Sequence, residues 1–410
     1  GQTLLAYTLS PEYEEQSLIS QSGGNWEPIS LHLDGFTEEF SPLAVAGDFV
    51  YVRAQREGAI DADTHILSYR ISNKHWDDVF NIGFSALVDL ELNDEGDLLW
   101  LQWVDDVPRM KTFDNKDPIS RVLLSFAKSY PGFAVSPISI TDDRNKLLVH
   151  ISSGAYGGEY FLYNKETRKA RFLVSMNEDI NGAELAELTS AEFTASDGIR
   201  IPGWFQAPAG VEKPPLVVYI HGGPHGPYNP YGFDTDLHLL NALGYAVYAP
   251  NFRGSGGFGK RFEAAGFGQW GTRMIDDMAE GTKHLISQGL VDPGQVCAYG
   301  GSYGGYATAQ SLVRHSDLYR CGVIIAGFFD MTTQIARTDT QNWYVGDDYL
   351  AKAIGSDESA LQQISPIYHL DKITAPMLIL HGKEDERTPF KGAKDFVDAL
   401  KKNGNTFEYH

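Results

Sequence analysis

The chain has 410 residues, 42% of them hydrophobic and 12% aromatic, enough for sizeable cores in two domains or one very large one, which excludes a disordered or collagen-like polymer. Its 54 acidic side chains outnumber 33 Lys and Arg for a formal charge of −21, a balance that repels phosphate backbones and anionic lipid and argues against nucleic-acid and membrane partners. No apolar run reaches the roughly 18–20 residues of a spanning helix. Cys297 and Cys321, the only cysteines, provide no disulfide framework and read as small hydrophobes on buried strands. The compartment stays open, the cytoplasm being favoured over the periplasm for a soluble chain.

Up to Val174, short β-rich runs alternate with polar turns, as at residues 49–52, 65–71, 98–101, 147–150 and 160–163, with little sign of a long amphipathic helix. A polar turn followed by an apolar strand recurs at Gly47-Asp48, Gly96-Asp97 and Asn145-Lys146, at a constant spacing of 49 residues, with a fainter copy at Gly1-Gln2. Such a period suggests propeller blades, about three to four equivalents over residues 1–185; an ordinary meander with coincident turns is the competing reading. Residues 175–191 form a polar linker.

Beyond the linker the grammar becomes strand, Gly-rich turn, helix. Residues 193–195 and 199–207 read as a β-hairpin around Ser196-Asp197-Gly198. Apolar runs at 215–220, 245–249, 295–299, 322–326 and 376–380 read as strands buried on both faces, and helical patterns cover 234–243, 273–288, 306–315 and 392–402. The alternation predicts a mostly parallel, doubly wound sheet.

The strongest chemical signal is Gly300-Gly301-Ser302-Tyr303-Gly304-Gly305, a G-x-S-x-G spacing that follows a predicted strand and opens a predicted helix. A side chain near Ser302 would clash in so tight a turn, hence the motif's glycines on both sides. A serine attacking a carbonyl needs donors for the developing oxyanion. The backbone N–H of Tyr303 is one; Gly222 or Gly223, in His221-Gly222-Gly223-Pro224 after an earlier strand, supplies the other, a plain Gly-Pro turn being the alternative. An acid to orient the base is expected after the nucleophile, and Asp385 fits, in the acidic loop after strand 376–380.

These motifs, with the Gly-rich stretch 251–259 and the His381-to-Pro389 loop, give the C-terminal half its resemblance to the prolyl oligopeptidase family of serine peptidases, nearest its acylaminoacyl-peptidase-like branch. The resemblance implies an incomplete β-propeller followed by an α/β-hydrolase catalytic domain over 186–410. It implies Ser302 as nucleophile, Asp385 as acid, and the amides of Gly223 (or Gly222) and Tyr303 as oxyanion hole. It implies short peptides as substrates, admitted past the propeller, with no cofactor and no metal; a homo-oligomer stays open. The family's catalytic histidine follows the last strand, here beyond His410, so both ends read as clipped and His410 reads as a strand residue rather than the base. A carboxylesterase on the same fold, or a non-catalytic binding protein lacking the base, are the rival functions.

Of the weaker signals, Arg387 is a candidate partner for a substrate carbonyl or carboxylate. Phe328 and Trp343, with Phe329 and Tyr344, are candidates for a hydrophobic substrate pocket that core packing explains as well. His221, His225 and His381 read as loop structure rather than metal ligands. Glu14-Glu15 reads as a solvated charge run rather than a clamp for a free amino terminus. The run 254–259 lacks the Gly-Lys-Ser/Thr ending of a phosphate loop and leads to no obvious helix.

Overall fold

A computed structural model of the chain describes residues 3–9, 15–21, 25–176, 185–334, 338–342 and 346–410. It divides into two compact units, one of Gly1–Tyr7, Ser17–Ser190 and Pro230–Ala242, the other of Thr8–Gln16, Ala191–Asn229 and Leu243–His410.

In the first unit, small sheets follow one another along the chain. β1 (Thr3–Leu9), β2 (Glu15–Gln21) and β3 (Glu27–Pro28) form one, and β4 (Phe36–Ala46), β5 (Phe49–Arg56), β6 (Thr64–Arg70) and β7 (His75–Gly83) the next. β8 (Ala86–Leu92), β9 (Leu98–Val104) and β10 (Pro108–Thr112) form a third. β11 (Ala134–Ile140), β12 (Lys146–Ser152), β13 (Glu159–Asn164) and β14 (Lys169–Ser175) form a fourth, with β15 (Thr189–Ser190) after it in the chain. The evenly spaced turns at Gly47, Gly96 and Asn145 each join the first two strands of successive sheets, whose pairing is antiparallel. Gly1 and Gln2 of the fainter copy lie outside the described residues. Because side chains alternate along a strand, β5 faces two cores at once. Val50 and Val52 pack with Ile19, Ile29 and Leu67, while Tyr51 packs with Ile66, Leu98 and Leu101.

The expectation of strands throughout this half needs one correction. Helix α1 (Pro118–Ser129) lies between the third and fourth sheets in the chain. Asp117 caps it by accepting the Ser120 N–H at 2.7 Å, and Pro118 sits in the first turn, where an N–H has no acceptor. Ile119 and Leu123 pack against Trp100 and Leu147. An Asp-Pro pair ahead of that helical spacing is the sequence signal for it.

In the second unit β16 (Phe193–Thr194) and β17 (Arg200–Ile201) form the expected hairpin, but its second strand is shorter than predicted. Pro202, which has no N–H to give, breaks it, and the chain continues as β18 (Gly203–Gln206) in another sheet. That sheet runs β18-β20-β19-β21-β22-β23-β24, with β19 (Leu216–Ile220), β20 (Ala246–Pro250), β21 (Val296–Gly301), β22 (Cys321–Ile325), β23 (Met377–Leu380) and β24 (Phe407–Tyr409). β18 is antiparallel to β20 and the others are parallel.

The helices are α2 (Thr235–Ala242), which belongs to the first unit, and α3 (Lys260–Ala264), α4 (Arg273–Ser287), α5 (Tyr303–Arg314), α6 (Met331–Gln334), α7 (Gly346–Ile354), α8 (Glu358–Gln363) and α9 (Phe390–Asn403). The run 254–259 thus does open a helix, the five-residue α3, contrary to expectation. From β19 the sheet builds to one side through β20 and then to the other through β21. This reversal creates a topological switch point at the C-terminal ends of β19 and β21, where open α/β sheets place their sites. Cys297 and Cys321 are directly opposite on β21 and β22, with Cα atoms 4.7 Å apart, and are joined as a disulfide rather than standing as separate hydrophobes.

A buried ionic cluster anchors the loop after β20. Arg253 donates to Asp277 on α4 through Nε and Nη2 (2.8 and 2.7 Å), and to Asp197 in the hairpin turn through Nη1 and Nη2 (2.7 and 3.1 Å). Asp277 is fully buried, so removing its partner leaves a charge without compensation. Arg253→Met is expected to cost about 3–5 kcal/mol of unfolding free energy in urea titrations; a loss below about 1 kcal/mol contradicts this role for the cluster.

Candidate active site

Ser302 stands between the last residue of β21 and the first of α5, with φ 56° and ψ −120°. A non-glycine residue at positive φ is strained by about 1–3 kcal/mol, and the surroundings impose it. The Ser302 N–H donates to Ile325 O on the neighbouring strand (2.9 Å), while its carbonyl accepts from Gly305 and Tyr306 in the first turn of α5. The chain must therefore turn from strand to helix within one residue.

The glycines that permit this are the two of the G-x-S-x-G spacing, Gly300 and Gly304. A Cβ on Gly304 would lie 2.1 Å from Ile220 O at the end of β19, and one on Gly300 would lie 2.6 Å from the Gly304 carbonyl. On Gly301, next to the serine, the nearest atom would be 3.7 Å away, an ordinary contact. The tight constraint is the seating of α5 on the strand ends, at the two glycines of the G-x-S-x-G spacing.

The loop after β19 lies against the serine: a Cβ on Gly222 would be 3.5 Å from Ser302 Cβ and 4.0 Å from its Oγ. Gly223 has φ +118°, a conformation that L side chains rarely adopt. As the first residue of α5, Tyr303 has a backbone N–H without an intrahelical acceptor. Its phenol turns inward, donating to Trp270 O at 2.8 Å, and burial raises its pKa well above the usual value. Thus Gly222 and the Tyr303 amide lie beside Ser302, with Gly223 the next residue of the loop.

Asp385 occupies the loop after β23. Only β22 separates β21 from β23, so these strands run roughly 10 Å apart. All three end on one edge: Ala326, following β22, donates its N–H to Leu380 O at 2.8 Å. The Asp385 carboxylate accepts the Thr388 N–H and hydroxyl, both at 2.8 Å. His381 Nε2 in turn donates to Thr388 O at 2.7 Å. The loop braces itself, and the carboxylate, 20% exposed, keeps lone pairs for another donor.

The remaining candidates are placed differently. Arg387 is engaged by Asp339, its Nε 2.5 Å from Oδ1. Phe328 is 7% exposed and belongs to the core, one face stacked on Tyr306 with centroids 5.0 Å apart. Trp343, Tyr344 and Glu14 lie outside the described residues. His410 continues the β24 ladder, its N–H donating to Ile379 O and its carbonyl accepting from His381, while its ring meets Glu408 at 2.6 Å. The other histidines of the unit are likewise engaged: His225 by Trp270, His284 by Gln288, His315 by Asp276, His369 by Gln363 O and His221 by Ser255. Among the described residues no cluster of His, Cys, Asp or Glu is arranged to hold a metal ion, and no helix is long and apolar enough to cross a membrane.

Residues 231–410 match the prolyl oligopeptidase family. That match assigns the segment 231–410 to the family. It is 30% identical over 302 residues to dipeptidyl peptidase family member 6 of Caenorhabditis elegans, covering 66% of this chain and 40% of that protein. It is 31% identical over 196 residues to the acylamino-acid-releasing enzyme of Arabidopsis thaliana, covering 46% and 26%. A puromycin-hydrolysing peptidase of Mycobacterium tuberculosis superposes with a TM-score of 0.73 at 19% identity, over 97% of this chain and 61% of that one. The fold is accordingly a β-propeller followed by an α/β-hydrolase domain. The chain spans less than half the length of these two sequence relatives.

The sequence reading gave the polar residues of stretch 251–259 no role of their own. Asn251 Oδ1 accepts the Asn229 N–H at 2.7 Å and its Nδ2 donates to Asn229 O, closing the loop that begins at His221. A buried-type Asn and Ser interleaved with glycines is the signal that points there. The steric argument predicts that Gly304→Ala lowers stability by about 1–3 kcal/mol by overpacking and slows fluorophosphonate labelling of Ser302. Gly301→Ala should leave the thermal midpoint nearly unchanged; equal destabilisation by both would contradict the seating of α5 as the tight constraint.

Proposed function

We infer that the chain carries the nucleophile and acid of a serine peptidase that hydrolyses peptide bonds in short peptides through an acyl-enzyme. The observation that carries this reading is the strained Ser302 elbow beside the Gly222-Gly223 loop, with Asp385 on the same sheet edge. The family match over 231–410 supports it.

Ser302 Oγ attacks the scissile carbonyl as an imidazole takes its proton, and Asp385 holds that imidazole in the required tautomer. The Gly223 and Tyr303 N–H groups stabilise the oxyanion, each worth about 2.7–4 kcal/mol in comparable sites. The tetrahedral intermediate collapses with the proton delivered to the leaving amine, and water then releases the acyl group. Each described histidine of the second unit is engaged elsewhere. The same reading divides the chain near residue 185, with three to four blade equivalents before the hydrolase domain.

In the full-length protein, Ser302→Ala should abolish turnover of a peptide anilide and labelling by a fluorophosphonate, and Asp385→Asn should lower kcat by about 10⁴-fold through the wrong tautomer. Ester turnover without anilide turnover would point to a carboxylesterase, and a folded protein that never labels would point to a binding role. Comparing N-acylated with free-amino substrates separates the two activities named in the relatives.

A further inference from the structure

The Gly222–Gly223 peptide is planar and trans, so the Gly222 carbonyl and the Gly223 N–H point in opposite directions and cannot be aimed independently. Between two glycines such a unit has no side chain of its own to fix its rotation. His221 supplies the fixing contact, with Nδ1 2.7 Å from Gly222 O. A carbonyl only accepts, so Nδ1 carries the hydrogen. The other nitrogen, Nε2, lies 2.8 Å from Ser255 Oγ, which also lies 2.7 Å from Phe252 O.

If the hydroxyl hydrogen went to Phe252 O, Nε2 would also have to donate and the ring would be an imidazolium. The ring is 8% exposed, stacked on Phe252 at 4.4 Å, and burial depresses its pKa to about 4. The neutral ring therefore accepts at Nε2 from the Ser255 hydroxyl, whose single hydrogen is shared with Phe252 O. Phe252 O keeps a donor in the Ser255 N–H at 3.0 Å. Ser255 sits in a loop anchored independently by Arg253, with its own backbone fixed to Phe252.

We propose that His221 is a positioning residue: its Nδ1–H, held in that tautomer by Ser255, clamps the Gly222 carbonyl and so aims the Gly223 N–H at the oxyanion formed over Ser302. The proposal rests on the reading of Ser302 as nucleophile and of this loop as oxyanion donor. It gives stretch 251–259 a role at the site without any contact with substrate. The clamp acts on the geometry of the tetrahedral state, so it bears on kcat rather than on ground-state binding.

The test uses the full-length protein and a peptide anilide. His221→Phe keeps a stacked ring and removes both nitrogens; kcat should fall about 10²-fold, the scale of one lost oxyanion donor, with KM within about twofold and affinity for a peptidyl aldehyde falling in parallel. His221→Asn returns an N–H close to the Nδ1 position and should recover much of kcat. Ser255→Ala, which frees the tautomer, should lower kcat by a smaller factor. Wild-type kcat in a folded His221→Phe protein overturns the proposal. So does a loss in KM alone, or a loss that tracks thermal stability and is not relieved by Asn. If His221→Phe does not fold, the Ser255→Ala comparison decides, an unchanged kcat and aldehyde affinity counting against the clamp. Absence of Ser302-dependent turnover in the wild type instead overturns the reading of the site, and the proposal with it.

Discussion

The architecture of the site depends on one close approach. Helix α5 begins directly on the backbone at the end of β19, with Gly304 so near Ile220 O that no Cβ fits between them. Because α5 is seated there, the chain leaving β21 has a single residue in which to turn, and Ser302 takes a positive φ to do it. The helix amides, the adjacent loop and the hydroxyl are brought together by that contact, at the one place where the sheet's winding direction reverses.

Around this contact the supporting groups form two separate braces. On one side the loop after β20 is tied by Arg253 to α4 and by Asn251 to the end of the His221 loop. On the other, His381, Thr388 and Asp385 form a short closed chain of hydrogen bonds within a single loop. The first brace is ionic and buried, where a missing partner is costly. The second is local, so the carboxylate is pre-oriented by residues within seven positions of one another.

Much of this was legible in the sequence because the features concerned are local in spacing or periodicity. The G-x-S-x-G elbow, the alternation of apolar strands and amphipathic helices, and the evenly spaced turns at Gly47, Gly96 and Asn145 all correspond to observed elements. What was not legible depends on through-space packing or on a single residue's chemistry. Pro202 splits one expected hairpin strand between two sheets, α1 emerges from an Asp-Pro cap amid strands, and the pairing of Cys297 with Cys321 follows from the register of β21 and β22. The tasks of His221 and Ser255 are equally non-local, since they lie on different loops. Arg387 is near Asp385 in sequence, and its pairing with Asp339, 48 residues earlier, is a contact that spacing along the chain does not show.

The conformation of Ser302 has a bearing on how such a scaffold diversifies. Its direction is decided by main-chain torsions and helix seating, not by the side chains that would wall a pocket. Residues facing a ligand can then drift in size and polarity while the Ser302 hydroxyl keeps its aim; on the reading of Ser302 as nucleophile, new specificities are within reach of substitutions that leave that aim undisturbed.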